Sequence, residues 1–267
     1  MIFSAPDWTL ARYLELLRLA NANYSFEPFG SSSAIRHALW RHDIDYSLDC
    51  ALMVARAEAE QGVRATYFVM LGSTYYNVFE PASTRALKEI VAAGHWLGLH
   101  FDPEAHPEIG RDGLALERAI AHEASILGDL ASIEVQAVSF HNPAFAGVLD
   151  FDQALLGGLV NAYGAPIRDS YFYTSDSFGY WRHRPLDRVL VDPPPRLHAL
   201  THPVWWQTQP GGSRARIANV AEHRANAILS EHDRLLARAG MYDTLIQQDH
   251  SRGFPHPPDR RSQIDAK

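Results

Sequence analysis

Short runs of β-forming residues alternate along this chain with amphipathic helical stretches, and several of the strand-like runs end on carboxylates or imidazoles. Parallel strands need a crossover of a dozen or more residues, usually a helix. Such alternation therefore demands a largely parallel sheet, open or closed. After an N-terminal helix over 8–20, residues 38–43 read as the first strand. An amphipathic helix follows over 48–61, with Leu48, Leu52, Ala55 and Ala59 on one face and Gly62 after it. A strand over 63–70, a helix near 83–93, a strand over 96–100, a helix over 113–131 behind the cap Asp112, and a strand over 135–140 continue the pattern. Beyond it, 150–157 reads as helical, 159–163 as a strand and 170–182 as a polar, aromatic loop. Val189 to Val191 reads as a short strand, 198–201 as the last strand and 214–239 as a long helix.

With 267 residues, 46% of them hydrophobic, the chain can bury a large core. One domain is expected through residue 247, followed by a polar, Pro-rich tail over 248–267. A net charge of −7, from 24 basic and 31 acidic residues, argues against a general nucleic-acid binder or a protein adhering to an acidic membrane. Cys50 is the single cysteine, which excludes an intrachain disulfide and a Cys-rich zinc site. No apolar run approaches the ~20 residues that span a bilayer. The first residues do not read as a signal peptide, so cytoplasmic residence is expected. The oligomeric state is left open.

The densest chemistry lies in His42-Asp43-Ile44-Asp45, at the end of the first strand. Side chains alternate along a strand, so Asp43 and Asp45 point the same way, about 7 Å apart along the chain. Two such carboxylates repel each other unless a cation or a shared proton relieves them. Asp residues are also common as turn and helix caps, and the neighbouring strand ends weigh against that simpler reading. His100, His141 and His202 close three further strands. Active sites of α/β barrels lie at the carboxyl ends of the strands. Scattered structural histidines would not favour that end.

An imidazole such as His100 suits a zinc-like cation. His141 precedes Asn142 and Pro143 and reads either as a ligand or as a partner of Asp43. His202, beside Trp205 and Trp206, has the character of a general acid; Asp176 can pair with it and keep it protonated. Arg182 can meet a substrate anion, and the aromatics Tyr75, Tyr76, Trp205 and Trp206 suit stacking on a sugar ring. His95 sits at the wrong end of its strand and is given a structural role, whereas His106 lies in a loop from which it can reach a metal or solvent.

The order of these segments resembles the polysaccharide deacetylase family, also called the NodB homology domain or carbohydrate esterase family 4, over roughly residues 38–206. Arg41 to Ser47 is similar to its first motif, Gly62 to Val69 to its next strand, Gly94 to His100 to its second motif and Leu200 to Pro203 to its last. The resemblance implies a distorted (β/α) barrel, here with an added C-terminal helix. It implies Asp43 as base, Asp45 and His100 as ligands of a divalent cation, Zn²⁺ first among the choices, and His202 as general acid. The implied reaction is hydrolysis of an N-acetyl group on a carbohydrate. The chain departs from the family where Asp-x-Asp replaces adjacent aspartates, Glu104 stands where a second metal histidine is usual, and His141-Asn142-Pro143 stands for Arg-x-Pro. His141 is the favoured third ligand, ahead of His106, Asp102 and Glu104. Two rivals remain: another metal-dependent C–N hydrolase on the same scaffold, and a non-catalytic carbohydrate-binding barrel.

Overall fold

The computed structural model describes residues 8–30, 34–181 and 183–241. The chain divides into a unit that runs through Val220 and a second that starts at Ala221. In the first, helix α1 (Leu10–Asn21) precedes a short strand β1 (Ser25–Phe26), the central strand β2 (His37–Ile44) and helix α2 (Leu48–Glu60). Strand β3 (Thr66–Val69), helix α3 (Pro81–Ala92), strand β4 (Trp96–Phe101), helix α4 (Gly113–Ala131) and strand β5 (Ala137–Phe140) follow in the expected alternation. The later part carries α5 (Pro143–Ala146), β6 (Leu155–Leu156), β7 (Leu159–Asn161), α6 (Ala165–Arg168), β8 (Phe172–Ser175), α7 (Leu186–Val191) and β9 (Arg196–Thr201), and ends in α8 (Ser213–Arg238).

The strands form one sheet in the order β6-β7-β5-β4-β3-β2-β9-β8, with β1 beside β2. Every pairing is parallel except β6–β7. The sheet curls into a half-barrel with flanking helices. It remains open, because no pairing joins β6 to β8 among the described strands. The expected distorted barrel and C-terminal helix are therefore both present.

β2 is buried along its whole length, as a central parallel strand covered on both faces should be. Its side chains divide by period two. Trp40 and Ile44 join the large core under the helices, with Leu17 of α1, Val54 of α2, Leu87 of α3 and Ile120 of α4. Leu39 points into the curl of the sheet, where it meets Phe29, Phe68, Ala137 and Ala162. Arg41 and Asp43 share this inner face, so the strand drives two charged residues into the interior.

Three local expectations are corrected. Val189 to Val191 lies in α7, because Leu186, Val189 and Leu190 are buried at helical spacing and the turn is closed by Val189 N–H donating to the Pro185 carbonyl. Of residues 150–157 only Asp150 is helical, ending a 3-10 turn; Leu155 and Leu156 pair with Val160 and Leu159 across Gly157-Gly158. Both glycines have positive φ, the conformation a two-residue hairpin turn needs. The loop over 170–182 contains strand β8, which lines up against β9 with Ser175 opposite Leu200. Among the described residues no helix is long and apolar enough to cross a membrane.

Gly98 of β4 lies opposite Phe68 of β3, and a Cβ there would come within 2.5 Å of the Phe68 ring. Gly98→Ala is expected to cost about 1–3 kcal/mol by overpacking. The urea midpoint checks it, since an unchanged midpoint would mean that the ring moves freely.

Candidate active site

The carboxyl ends of β2, β4, β5, β8 and β9 surround a cavity of about 210 Å³. Asp43, Asp45, His100, His141 and His202 all line it. Each reaches it by strand register rather than by a long loop. Asp43 and His100 belong to β2 and β4, whereas Asp45, His141 and His202 come directly after the last residues of β2, β5 and β9, as Asp176 does after β8 behind the cavity wall.

Arg41 is fully buried and grips Asp43 with two hydrogen bonds of 2.7 Å, Nε to Oδ1 and Nη2 to Oδ2. Its guanidinium also donates to the Tyr163 hydroxyl at 3.1 Å and lies between the Phe68 and Tyr163 rings, at 5.0 and 4.8 Å. Burying two opposite charges costs several kcal/mol per ion, which close pairing offsets; the fork of short bonds supplies that pairing at Nε and Nη2, while Nη1 is buried without a hydrogen-bond partner. Burial pushes the Asp43 carboxyl up, but Arg41 and then His100 outweigh it and hold the group below the ordinary carboxylate value.

His100 stands between the two aspartates. Its Nδ1 is 2.7 Å from the Ser139 hydroxyl and 3.7 Å from Asp43 Oδ2, and its Nε2 is 3.1 Å from Asp45 Oδ1. That Asp45 oxygen is buried and makes no hydrogen bond, so the two atoms are close without being aimed at each other. An anionic oxygen and an imidazole nitrogen in this relation fit two donor positions of a divalent cation. Burial raises the Asp45 pKa, and His100 and His202 more than reverse it, leaving the group ionised well below its usual range.

No third donor joins them. His141 lies beside His100, with ring centroids 5.6 Å apart. Its Nδ1 is 3.4 Å from Asp102 Oδ1, and its Nε2 accepts from the Asn142 amide at 3.2 Å. Among the described residues no three His, Cys, Asp or Glu side chains gather on one point. Glu104 heads a short turn capped by Asp102. His106 stacks on Phe101 and bonds Glu123 at 2.6 Å, away from the aspartates.

His202 and Asp176 form the tightest pair facing the cavity. His202 Nδ1 is 2.6 Å from Asp176 Oδ1, and the same carboxylate accepts from the His202 backbone N–H and from Trp206 Nε1 at 2.9 Å. Burial alone would lower the His202 pKa, but the hydrogen bond and charge of Asp176, with help from Asp45, push it up to about 9. The imidazole is thus protonated at neutral pH, with Nε2 3.7 Å from Asp45 Oδ2.

The residues chosen for sugar contact fare unevenly. Trp205 lines the cavity, but it is only 3% exposed and has no free face to offer a ring. Trp206 is 1% exposed and serves Asp176 instead. Tyr76 is a structural residue; its hydroxyl donates to the Ile44 carbonyl and accepts from Met70 N–H, and it does not border the cavity. Arg182 lies outside the described residues, as does the tail. His95 has the structural role expected, accepting from Ala65 N–H and donating to the Ala55 carbonyl. Arg41, Ser139 and Tyr163, which hold Asp43 and His100, are not among the residues expected from the sequence. Arg41 had a signal, since a residue two before Asp43 on a strand must share its face.

No family profile and no curated protein matches the chain. Solved structures do. A family 4 carbohydrate esterase from Streptomyces lividans in complex with acetate is 13% identical, with a TM-score of 0.39 over 74% of this chain and 91% of that one. The peptidoglycan deacetylase PdaC from Bacillus subtilis is 13% identical, with a TM-score of 0.41 over 78% of this chain and 99% of that one. A carbohydrate esterase family 4 pseudoenzyme from Bacillus anthracis is 13% identical, with a TM-score of 0.40 over 74% of this chain, which spans 65% of that protein's length. These likenesses are distant, and both fold and chemistry are read from this chain's own residues.

His106 ties the segment that carries Asp102 to α4 through Glu123, with Glu108 alongside. Burial lowers its pKa, but the bonds to Glu123 and Glu108 raise it above the ordinary histidine value. A raised folded pKa gives stability that is complete below the unfolded value of about 6.5 and fades as pH climbs through the folded value. The stability difference between wild type and His106→Gln is therefore expected to be larger at about pH 5.5, below the ordinary histidine value, than at about pH 9, and to stay on the order of 1 kcal/mol or less. Urea titrations at the two pH values check it, and a gap that widens with pH would contradict it.

Proposed function

We propose that this chain is a hydrolase that removes an acetyl group from the nitrogen of an N-acetylated carbohydrate. The observation that carries the reading is the opposition, across one small cavity, of a protonated His202 held by Asp176 and an ionised Asp43 held by Arg41. Amide hydrolysis needs a base for the attacking water and an acid for the departing amine, and such a pair supplies both. The motif order of the sequence supports the substrate class.

Asp45 and His100 are the residues that would hold a divalent cation. Bound there, such an ion would polarise an acyl carbonyl and make the attacking water more acidic. A carboxylate as depressed as Asp43 is a weak base on its own. Asp43 takes a proton from the attacking water while the Arg41 fork keeps its carboxylate from rotating. His202 delivers the Nε2 proton to the nitrogen as the C–N bond breaks; Asp176 holds Nδ1 and so leaves Nε2 facing the cavity. Asp45 draws the imidazolium toward the reacting atoms through their 3.7 Å approach.

Acetate release from N-acetylated oligosaccharides tests the reading. His202→Ala is expected to lower kcat by about 10²–10⁴-fold, the usual worth of a positioned acid. Asp176→Asn is expected to lower it by a smaller factor. Undiminished turnover in His202→Ala would remove the acid from the mechanism. Calorimetric titration with Zn²⁺ reads the cation separately: Asp45→Asn should bind it at least ~10-fold more weakly than wild type.

A further inference from the structure

The residues proposed for catalysis stand on different strands. β2 delivers Asp43 and Asp45, and β9 delivers His202. The backbone ladder between them runs from His37 opposite Arg196 to His42 opposite Thr201 and stops there. Past that pair the two chains part around the cavity, so no ladder bond fixes the spacing of the groups that react.

The last paired residues are joined a second time through their side chains. His42 Nδ1 and Thr201 Oγ1 are 2.7 Å apart, and both residues are fully buried. The His42 ring has no freedom to release this contact. Its Nε2 is 2.9 Å from Glu58 Oε1, its face stacks on Tyr67 at 4.5 Å, and Glu58 is held in turn by the Tyr13 and Tyr67 hydroxyls. Tyr13 also packs against Trp206 at 5.3 Å, and Trp206 donates to Asp176, the partner of His202. The acid is thus reached from both sides by one buried assembly, through Thr201 along the chain and through Asp176 across space. His42 faces away from the cavity and touches no reacting group.

We propose that Thr201, clamped by His42 and Glu58, is a positioning residue that sets where the His202 imidazole stands relative to Asp43 and Asp45. The proposal rests on the reading of His202 as the acid. A displacement of the order of 1 Å at a reacting group is enough to slow chemistry substantially without weakening substrate binding.

Thr201→Val keeps the β-branched shape and removes the hydroxyl; Thr201→Ser restores the hydroxyl and removes a methyl. Thermal melts first establish that both variants are folded. The decisive readout is the NMR resonance of the His202 Nδ1 proton, which a 2.6 Å bond to Asp176 places far downfield and protects from exchange. It is expected to shift or broaden in Thr201→Val and to return in Thr201→Ser. Acetate release should follow it, with kcat down about tenfold, KM within about twofold, and recovery in the serine variant. A wild-type resonance in Thr201→Val overturns the proposal. If the wild type releases no acetate from any N-acetylated sugar, the proposed function fails, and the resonance alone still decides the role of Thr201.

Discussion

An ionised carboxylate with no exposure to water, Glu58, is the constraint around which this fold is arranged. Burial disfavours its charge, yet His42, then His95 and the Tyr13 hydroxyl, hold it below its ordinary pKa. Each of these partners comes from a different element: Tyr13 from α1, His42 from β2, His95 from the turn before β4, with Tyr67 from β3 completing the shell. A carboxylate buried this deeply is tolerable only when every one of them is in place. The helices on this side of the sheet are therefore specified by a polar centre as well as by the apolar contacts around it.

The opposite face of the same strand repeats the problem with other residues. Arg41 and Asp43 neutralise each other inside the curl of the sheet, between Phe68 and Tyr163. Period two along β2 thus assigns one buried ionic assembly to the helical layer and another to the cavity. Beside the cavity the half-buried Tyr46 packs on Tyr75 at 4.8 Å and on the buried Trp205 at 5.7 Å.

Much of this was legible in the chain itself. The alternation of elements follows from periodicity, and the strand ends follow from the same periodicity, so Asp43, Asp45, His100, His141 and His202 could all be named as neighbours. What periodicity does not carry is the direction of a side chain after its strand has ended. His141 was expected to point at the cation donors, and instead it turns to Asp102 and Asn142, because Asn142 takes a left-handed backbone conformation immediately after it. Trp205 and Tyr76 misled for a related reason: an aromatic residue in a polar stretch reads as exposed, whereas here the core reaches out to bury it. Glu58 was hidden altogether, since a glutamate in a helix normally belongs to the solvated face.

The Arg41 fork also has a stereochemical consequence. A guanidinium that meets a carboxylate side-on, with Nε–H to one oxygen and Nη2–H to the other, occupies the two lone pairs that point forward off the group. Those are its more basic orbitals. Asp43 is left with the lone pairs that project sideways, so a proton can arrive along only two directions, both lying in the carboxylate plane. A two-residue spacing on one strand thereby fixes the compass bearing from which a proton donor can reach Asp43.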